Sequence, residues 1–143
     1  MGDDLAASNV NRTYSLAAMS IAIFTFMLIF LYPRYASGEV NAVLFQATLL
    51  VMGVATFSTV FAAFHYYGSS LGGRMDDTER ARLARRGDGF WLLGHTLLLL
   101  APSMVLVSVG LLLVGAVWLA LWLSYVIFAM RTFPRVRTAR SRG

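Results

Sequence analysis

One charged segment interrupts the chain: GSSLGGRMDDTERARLARRGDG, residues 68–89. It carries five arginines and four acidic residues, whereas long apolar runs lie before and after it. The segment therefore divides the chain into two apolar halves. The fold depends on how many membrane-crossing helices each half can supply.

The composition is that of a protein in lipid rather than water. Hydrophobic residues make up 58% of the 143 residues and charged residues 13%, whereas a soluble domain has about a quarter of its residues charged. So few charges cannot cover a surface of this size in water. We therefore predict an integral membrane protein.

Several chemistries are excluded by residues that the sequence lacks. There is no cysteine, and all twelve basic residues are arginine, which excludes disulfides, thiol catalysis and a lysine Schiff base. The formal charge of +5 is not accompanied by a groove-reading motif, so we expect no nucleic-acid partner. With no catalytic constellation in the sequence, we expect a protein that is not an enzyme.

The first half supplies two membrane spans. Residues 14–32 carry no charge and approach the length of about 20 that crosses hydrocarbon. Pro33 and Gly38 then mark a short connection. Residues 40–67 form the second span, which at about 42 Å is longer than the hydrocarbon core and must tilt or project.

The second half supplies two more. Residues 90–130 contain no formal charge, and as one helix they would extend about 62 Å, twice the hydrocarbon thickness. A hairpin turn near Gly110 and Gly115 gives spans 90–109 and 111–130. The prediction is one all-α transmembrane domain, residues 1–143, folded as a four-helix bundle with a basic tail at 131–143.

The central segment 68–89 is predicted to form a loop with a short amphipathic surface helix. Asp76 and Glu79 have the spacing of a capping box, and Asp76 with Arg80 forms an i,i+4 pair. Gly87 is a natural helix stop.

The arginines predict the orientation. Four spans place both termini and the central loop on one side, with eleven arginines, and leave only Arg34 on the other. This asymmetry indicates cytoplasmic termini, and we expect the plasma membrane of a bacterium or archaeon. The arginine-rich tail is also expected to contact anionic lipid headgroups.

Small residues recur along each span at helical spacing, which favours close helix packing in lipid. The candidate packing positions are Ser15, Ala18 and Ala22 in the first span, Gly53 in the second, Gly94, Ala101 and Ser108 in the third, and Ala116, Ala120 and Ser124 in the fourth.

The two histidines, His65 and His95, stand just outside the two ends of the charged segment. At similar depth they could provide the two imidazole ligands of a haem b. The other interpretation is that both rings anchor the headgroup boundary beside Tyr66, Tyr67 and Trp91.

Three functions remain open. The leading hypothesis is a non-catalytic subunit or homo-oligomeric module of a membrane complex, since the small-residue stripes favour association. The second is a small oligomeric ion channel or transporter. The third is a haem b-binding anchor of an electron-transfer complex, through His65 and His95.

Overall fold

The computed structural model describes residues 2–71 and 75–140, with side chains described for 8–71 and 75–132. The helices are α1 (Gly2–Ala36), α2 (Ala42–Ser70), α3 (Asp77–Ser108) and α4 (Leu112–Arg140). Each contains a segment long and apolar enough to cross a membrane. This confirms the prediction of an all-helical chain with four potential membrane spans.

The helices run between two ends of different character. At one end, the turn end, Gly38 and Gly110 adopt φ of +79° and +87°, which glycine tolerates without steric cost. The backbone N–H of Asn41 donates to the Ser108 carbonyl at 3.1 Å there, so both turns lie together. The opposite end, with Arg12, the start of α3 and Arg131, is the arginine-rich end.

Helix α3 extends through most of the segment predicted as a loop. The structure shows no separate amphipathic helix among the described residues, because Asp77 to Gly89 form the first turns of α3 itself. Gly87 does not stop the helix. It lies against α2, where a Cβ atom at this position would be 3.0 Å from the Tyr66 ring. Packing against α2 thus continues past the apolar run, and α3 is about 48 Å long.

The boundary of the first span also differs from the prediction. Pro33 was expected to end the helix, but α1 continues to Ala36. A proline in the last turn removes only one backbone donor, and the N–H of Ser37 still bonds the Pro33 carbonyl at 3.0 Å.

The core is formed by α1, α2 and α3. Its buried apolar members are Met27, Val40, Phe45, Met52 and Ala101. Buried hydroxyls of Thr13, Ser20, Thr48 and Thr59 donate to carbonyls of their own helices at 2.6 to 2.8 Å. They therefore pack as small residues without leaving a polar group unsatisfied.

Helix α4 stands outside this core. In the described part of the chain, extensive contacts join α1 with α2, α2 with α3, and α3 with α4. The predicted four-helix bundle is thus a three-helix core with α4 added to the outer side of α3. Most α4 side chains from Leu112 to Met130 are exposed.

Candidate functional site

His65 lies on α2 near the arginine-rich end. It donates from Nδ1 to the Phe61 carbonyl at 2.7 Å, so one ring nitrogen is used within its own helix. The imidazole also packs against Phe90 of α3, with 5.2 Å between ring centroids, and Phe90 packs against Phe61 at 5.7 Å. His65 is therefore part of an aromatic contact between α2 and α3.

His95 lies in a different aromatic group. Its ring stacks on Trp91 at 5.0 Å with an interplanar angle of 8°, and it meets Tyr125 of α4 edge-on at 5.7 Å. Its Nδ1 atom is buried and has no hydrogen-bond partner among the described residues. The ring thus lies between α3 and α4 rather than between α2 and α3.

The structure does not bring the two histidines together. Tyr66, next to His65, packs on Gly87, whereas Gly94, next to His95, packs on Ala55 and Thr59. His65 meets α3 at Phe90, five residues or about 7.5 Å before His95 along the helix axis. A haem held by both imidazoles stays a prediction.

Arg12 connects α1 to the His95 group. Its guanidinium carbon lies 5.3 Å from the centroid of the Trp91 ring, which is cation–π geometry worth about 0.5 to 1 kcal/mol at an exposed site. In the sequence, Arg12 contributes only to the predicted orientation. The contact between Arg12 and Trp91 could not be predicted from residue spacing, because the two residues lie on different helices.

Tyr66 and Asp88 form a second polar link between helices. The Tyr66 hydroxyl donates to Asp88 Oδ1 at 2.8 Å, directly beside the contact between the Tyr66 ring and Gly87. Asp88 was placed in the loop by the sequence analysis. The feature of the sequence that indicated this contact is the position of Asp88 between two glycines, Gly87 and Gly89, because glycines let a neighbouring helix approach.

The predicted packing positions divide into two groups. Gly94, Ala101 and Ser108 of α3 are buried. A Cβ atom at Gly94 would lie 2.8 Å from Thr59 Cγ2 and 2.9 Å from the Ala55 carbonyl oxygen. This stripe is where α2 and α3 approach most closely.

The remaining packing positions are not buried in the single chain. Gly53 is half-buried, and no described atom lies within 4 Å of a Cβ atom placed there. The exposed positions are Ser15, Ala18 and Ala22 of α1, and Ala116, Ala120 and Ser124 of α4. The inner face of α1 is instead made by Thr13, Ala17, Ser20 and Met27, which are buried.

Among the described residues, hydrogen bonds and a close approach join α4 to α3, in addition to the contact between His95 and Tyr125. Ser103 Oγ donates to the Gly115 carbonyl at 2.9 Å, and Trp122 Nε1 donates to the Thr96 carbonyl at 2.8 Å. A Cβ atom at Gly115 would lie 2.6 Å from Val107 Cγ2. The contact is thus specific but narrow.

The described residues contain no group of three or more His, Asp or Glu side chains that could hold a metal ion. The arrangement offers helix-packing surfaces, an aromatic group around His95 and an arginine-bearing helix start. Together with the four long apolar helices, these features are consistent with an integral membrane protein. No known protein family, characterised protein or solved structure matches the chain.

Proposed function

We propose that this chain is a non-catalytic, homo-oligomeric module of a membrane complex, and that it associates through the outer face of α4. The observation that carries the proposal is the placement of the small residues Ala116, Ala120 and Ser124. All three are exposed in the single chain. The face of α4 that packs against α3 also contains small residues.

The position of this outer face follows from helix geometry. At about 100° per residue, Ala116, Ala120 and Ser124 lie about 100°, 140° and 180° around α4 from Gly115. Gly115 contacts α3, so the three small residues point away from it. Contact with lipid does not require a small residue at every fourth position. Contact with a second helix does, because small side chains let the two backbones approach closely.

Helix α1 presents a similar outer face at the other side of the molecule. Ser15, Ala18 and Ala22 are exposed, opposite the buried Thr13 and Ala17. The two outer helices, α1 and α4, therefore each expose a face of small residues. Copies can pair through α4 alone, or form a ring in which α4 of one copy meets α1 of the next.

The natural absence of cysteine permits a clean cross-linking test in native membranes. We expect Ala120→Cys, alone or combined with Ala22→Cys, to form disulfide-linked dimers on oxidation, since close helices bring Cα atoms within about 7 Å. Leu121→Cys, also exposed on α4 but about 100° around the helix from Ala120, is the matched control.

Cross-linking from Ala120→Cys alone indicates a symmetric α4 pair, and cross-linking only in the double variant indicates a ring. Equal yields from Ala120→Cys and Leu121→Cys would refute association through this face. The mass of the purified assembly separates a homo-oligomer from a complex with another protein, and a monomer without partners contradicts the proposal.

We also propose that both termini face the cytoplasm and that the arginine-rich tail contacts anionic headgroups of the plasma membrane. Support comes from the eleven arginines on one side against Arg34 on the other. In intact cells, we expect a membrane-impermeant maleimide to label Ser37→Cys, and Met75→Cys only after permeabilisation. The reverse pattern would overturn the orientation.

A further inference from the structure

Three arginines share one face of α3 at the arginine-rich end. Thr78 lies on the same face as Arg82, Arg85 and Arg86, and together these residues line an open surface depression. The three arginines are exposed.

These guanidinium groups have no acidic partner among the described residues. Arg85 Nε donates to the Ala81 carbonyl of its own helix at 3.3 Å, and the ion pair at this end joins Arg80 to Asp77 instead. Glu79 lies one turn before Arg82 and forms no ion pair with it. The face thus holds three positive charges that lack a counter-charge from the described chain.

The arginine face is on the side of α3 along which α4 runs. Counting about 100° per residue from Gly87, which faces α2, the arginines lie between about 160° and 260°. Thr96 and Ser103, which bond to α4, fall at about 160° to 180° on the same scale. Arg80, by contrast, falls near 20° and bonds the Ser69 carbonyl of α2 at 3.1 Å.

The register of the two helices brings more positive charge to this level. Trp122 pairs with Thr96 and Gly115 with Ser103, so in antiparallel order Arg131 is level with Gly87. Helix α4 continues to Arg140, and residues 131–140 include four arginines and no acid. Both segments are basic by sequence, so an anion shared between them would reduce their mutual repulsion.

The depth of the face matches that of lipid phosphates. Phe90 is the first residue of the apolar run, and Arg86 and Arg82 precede it by about 6 and 12 Å along the helix. The headgroup layer is about 5 to 8 Å thick on each side of the hydrocarbon. At about 6 and 7.5 Å from Phe90, Arg86 and Arg85 fall within that layer, whereas Arg82, at about 12 Å, lies beyond it on the aqueous side.

We infer that Arg82, Arg85 and Arg86 of α3 form a binding site for the phosphodiester headgroup of an anionic membrane lipid, beside the basic extension of α4. The planar guanidinium groups suit phosphate oxygens because they can donate two parallel hydrogen bonds. The inference rests on the lipid contact in the proposed function, and is independent of association through α4.

The test is native mass spectrometry of the full chain in detergent, titrated with dioctanoyl phosphatidylglycerol or dioctanoyl phosphatidylcholine. We expect the anionic lipid to bind at least tenfold more tightly. The R82Q/R85Q/R86Q variant should lose about 100-fold in that affinity, at roughly fivefold for each arginine removed. Equal affinities for the two lipids would overturn the inference.

The matched control, R135Q/R137Q/R140Q, removes the same charge from α4. A clearly smaller loss in this control supports a site on α3. Equal losses would show diffuse attraction, and a loss confined to the control would support only the tail contact of the proposed function; both overturn the inference. Displacement of the lipid by millimolar inorganic phosphate would show that a free anion is the ligand, which also overturns it.

Discussion

The substitution Gly94→Ala probes a close approach of α3 to the backbone of α2. The added Cβ atom would lie 2.8 Å from Thr59 Cγ2, 2.9 Å from the Ala55 carbonyl oxygen and 3.1 Å from Thr59 N. Two of these three atoms belong to the α2 backbone, so no rotamer change relieves the contact. The helices must separate by several tenths of an ångström.

Separation weakens the most extensive helix interface in the described chain, that of α2 with α3. Overpacking of this kind costs about 1 to 3 kcal/mol, which is roughly a 5- to 150-fold change in the unfolding equilibrium. The assay is reversible unfolding in mixed micelles with increasing dodecyl sulfate, followed by circular dichroism. We expect the transition of Gly94→Ala at lower dodecyl sulfate than that of the unchanged chain.

Gly53→Ala is the matched control, since Gly53 is also a glycine within an apolar helix. No described atom lies within 4 Å of its added Cβ, so we expect unchanged or slightly higher stability, because alanine has less backbone freedom to lose. If Gly94→Ala unfolds at the same point as Gly53→Ala, α2 and α3 are not as close at this position as the structure has them.

Two further substitutions test the polar links between helices in the same assay. Tyr66→Phe removes the hydrogen bond to the Asp88 carboxylate and should lower the free energy of unfolding by about 1 to 2 kcal/mol, whereas Tyr67→Phe, 55% exposed, should leave it unchanged. Trp122→Phe removes the bond to the Thr96 carbonyl; we expect a loss of about 0.6 to 1.7 kcal/mol and faster hydrogen exchange in α4, and unchanged exchange would contradict the attachment described for α4.

The number of helices could be predicted because it depends on a local quantity. That quantity is the length of each uncharged run, which either fits one crossing of the hydrocarbon or requires a turn. The 41-residue run from Phe90 to Met130 could not be one span. Gly110, near its middle, is indeed where the backbone reverses with positive φ.

The start of α3 could not be predicted in the same way. Charge suggested that the segment before Phe90 lies outside the membrane, but charge does not decide whether a helix continues. Continuation depends on Gly87 and Leu83 packing against Tyr66 and Gly68 of α2. Contacts between residues that are far apart in the sequence cannot be predicted from the residue pattern of either segment.

The candidate site was predicted by residue type but not by arrangement. Small residues occur on several faces of α1 and α4, and spacing alone does not say which face meets the rest of the chain. For the histidines, closeness to the charged segment suggested equal depth. The antiparallel register of α2 and α3 instead separates His65 from His95, and only the relative positions of the two helices determine that register.

The order of the helices has a consequence for how the protein is made. The buried core of the described residues is formed by α1, α2 and α3, and these three helices are synthesised before α4. Membrane helices insert individually and pack afterwards, so the core can assemble while α4 is still being synthesised. Helix α4 then joins a unit that is already packed, and a delay in its insertion leaves a three-helix intermediate with its core complete.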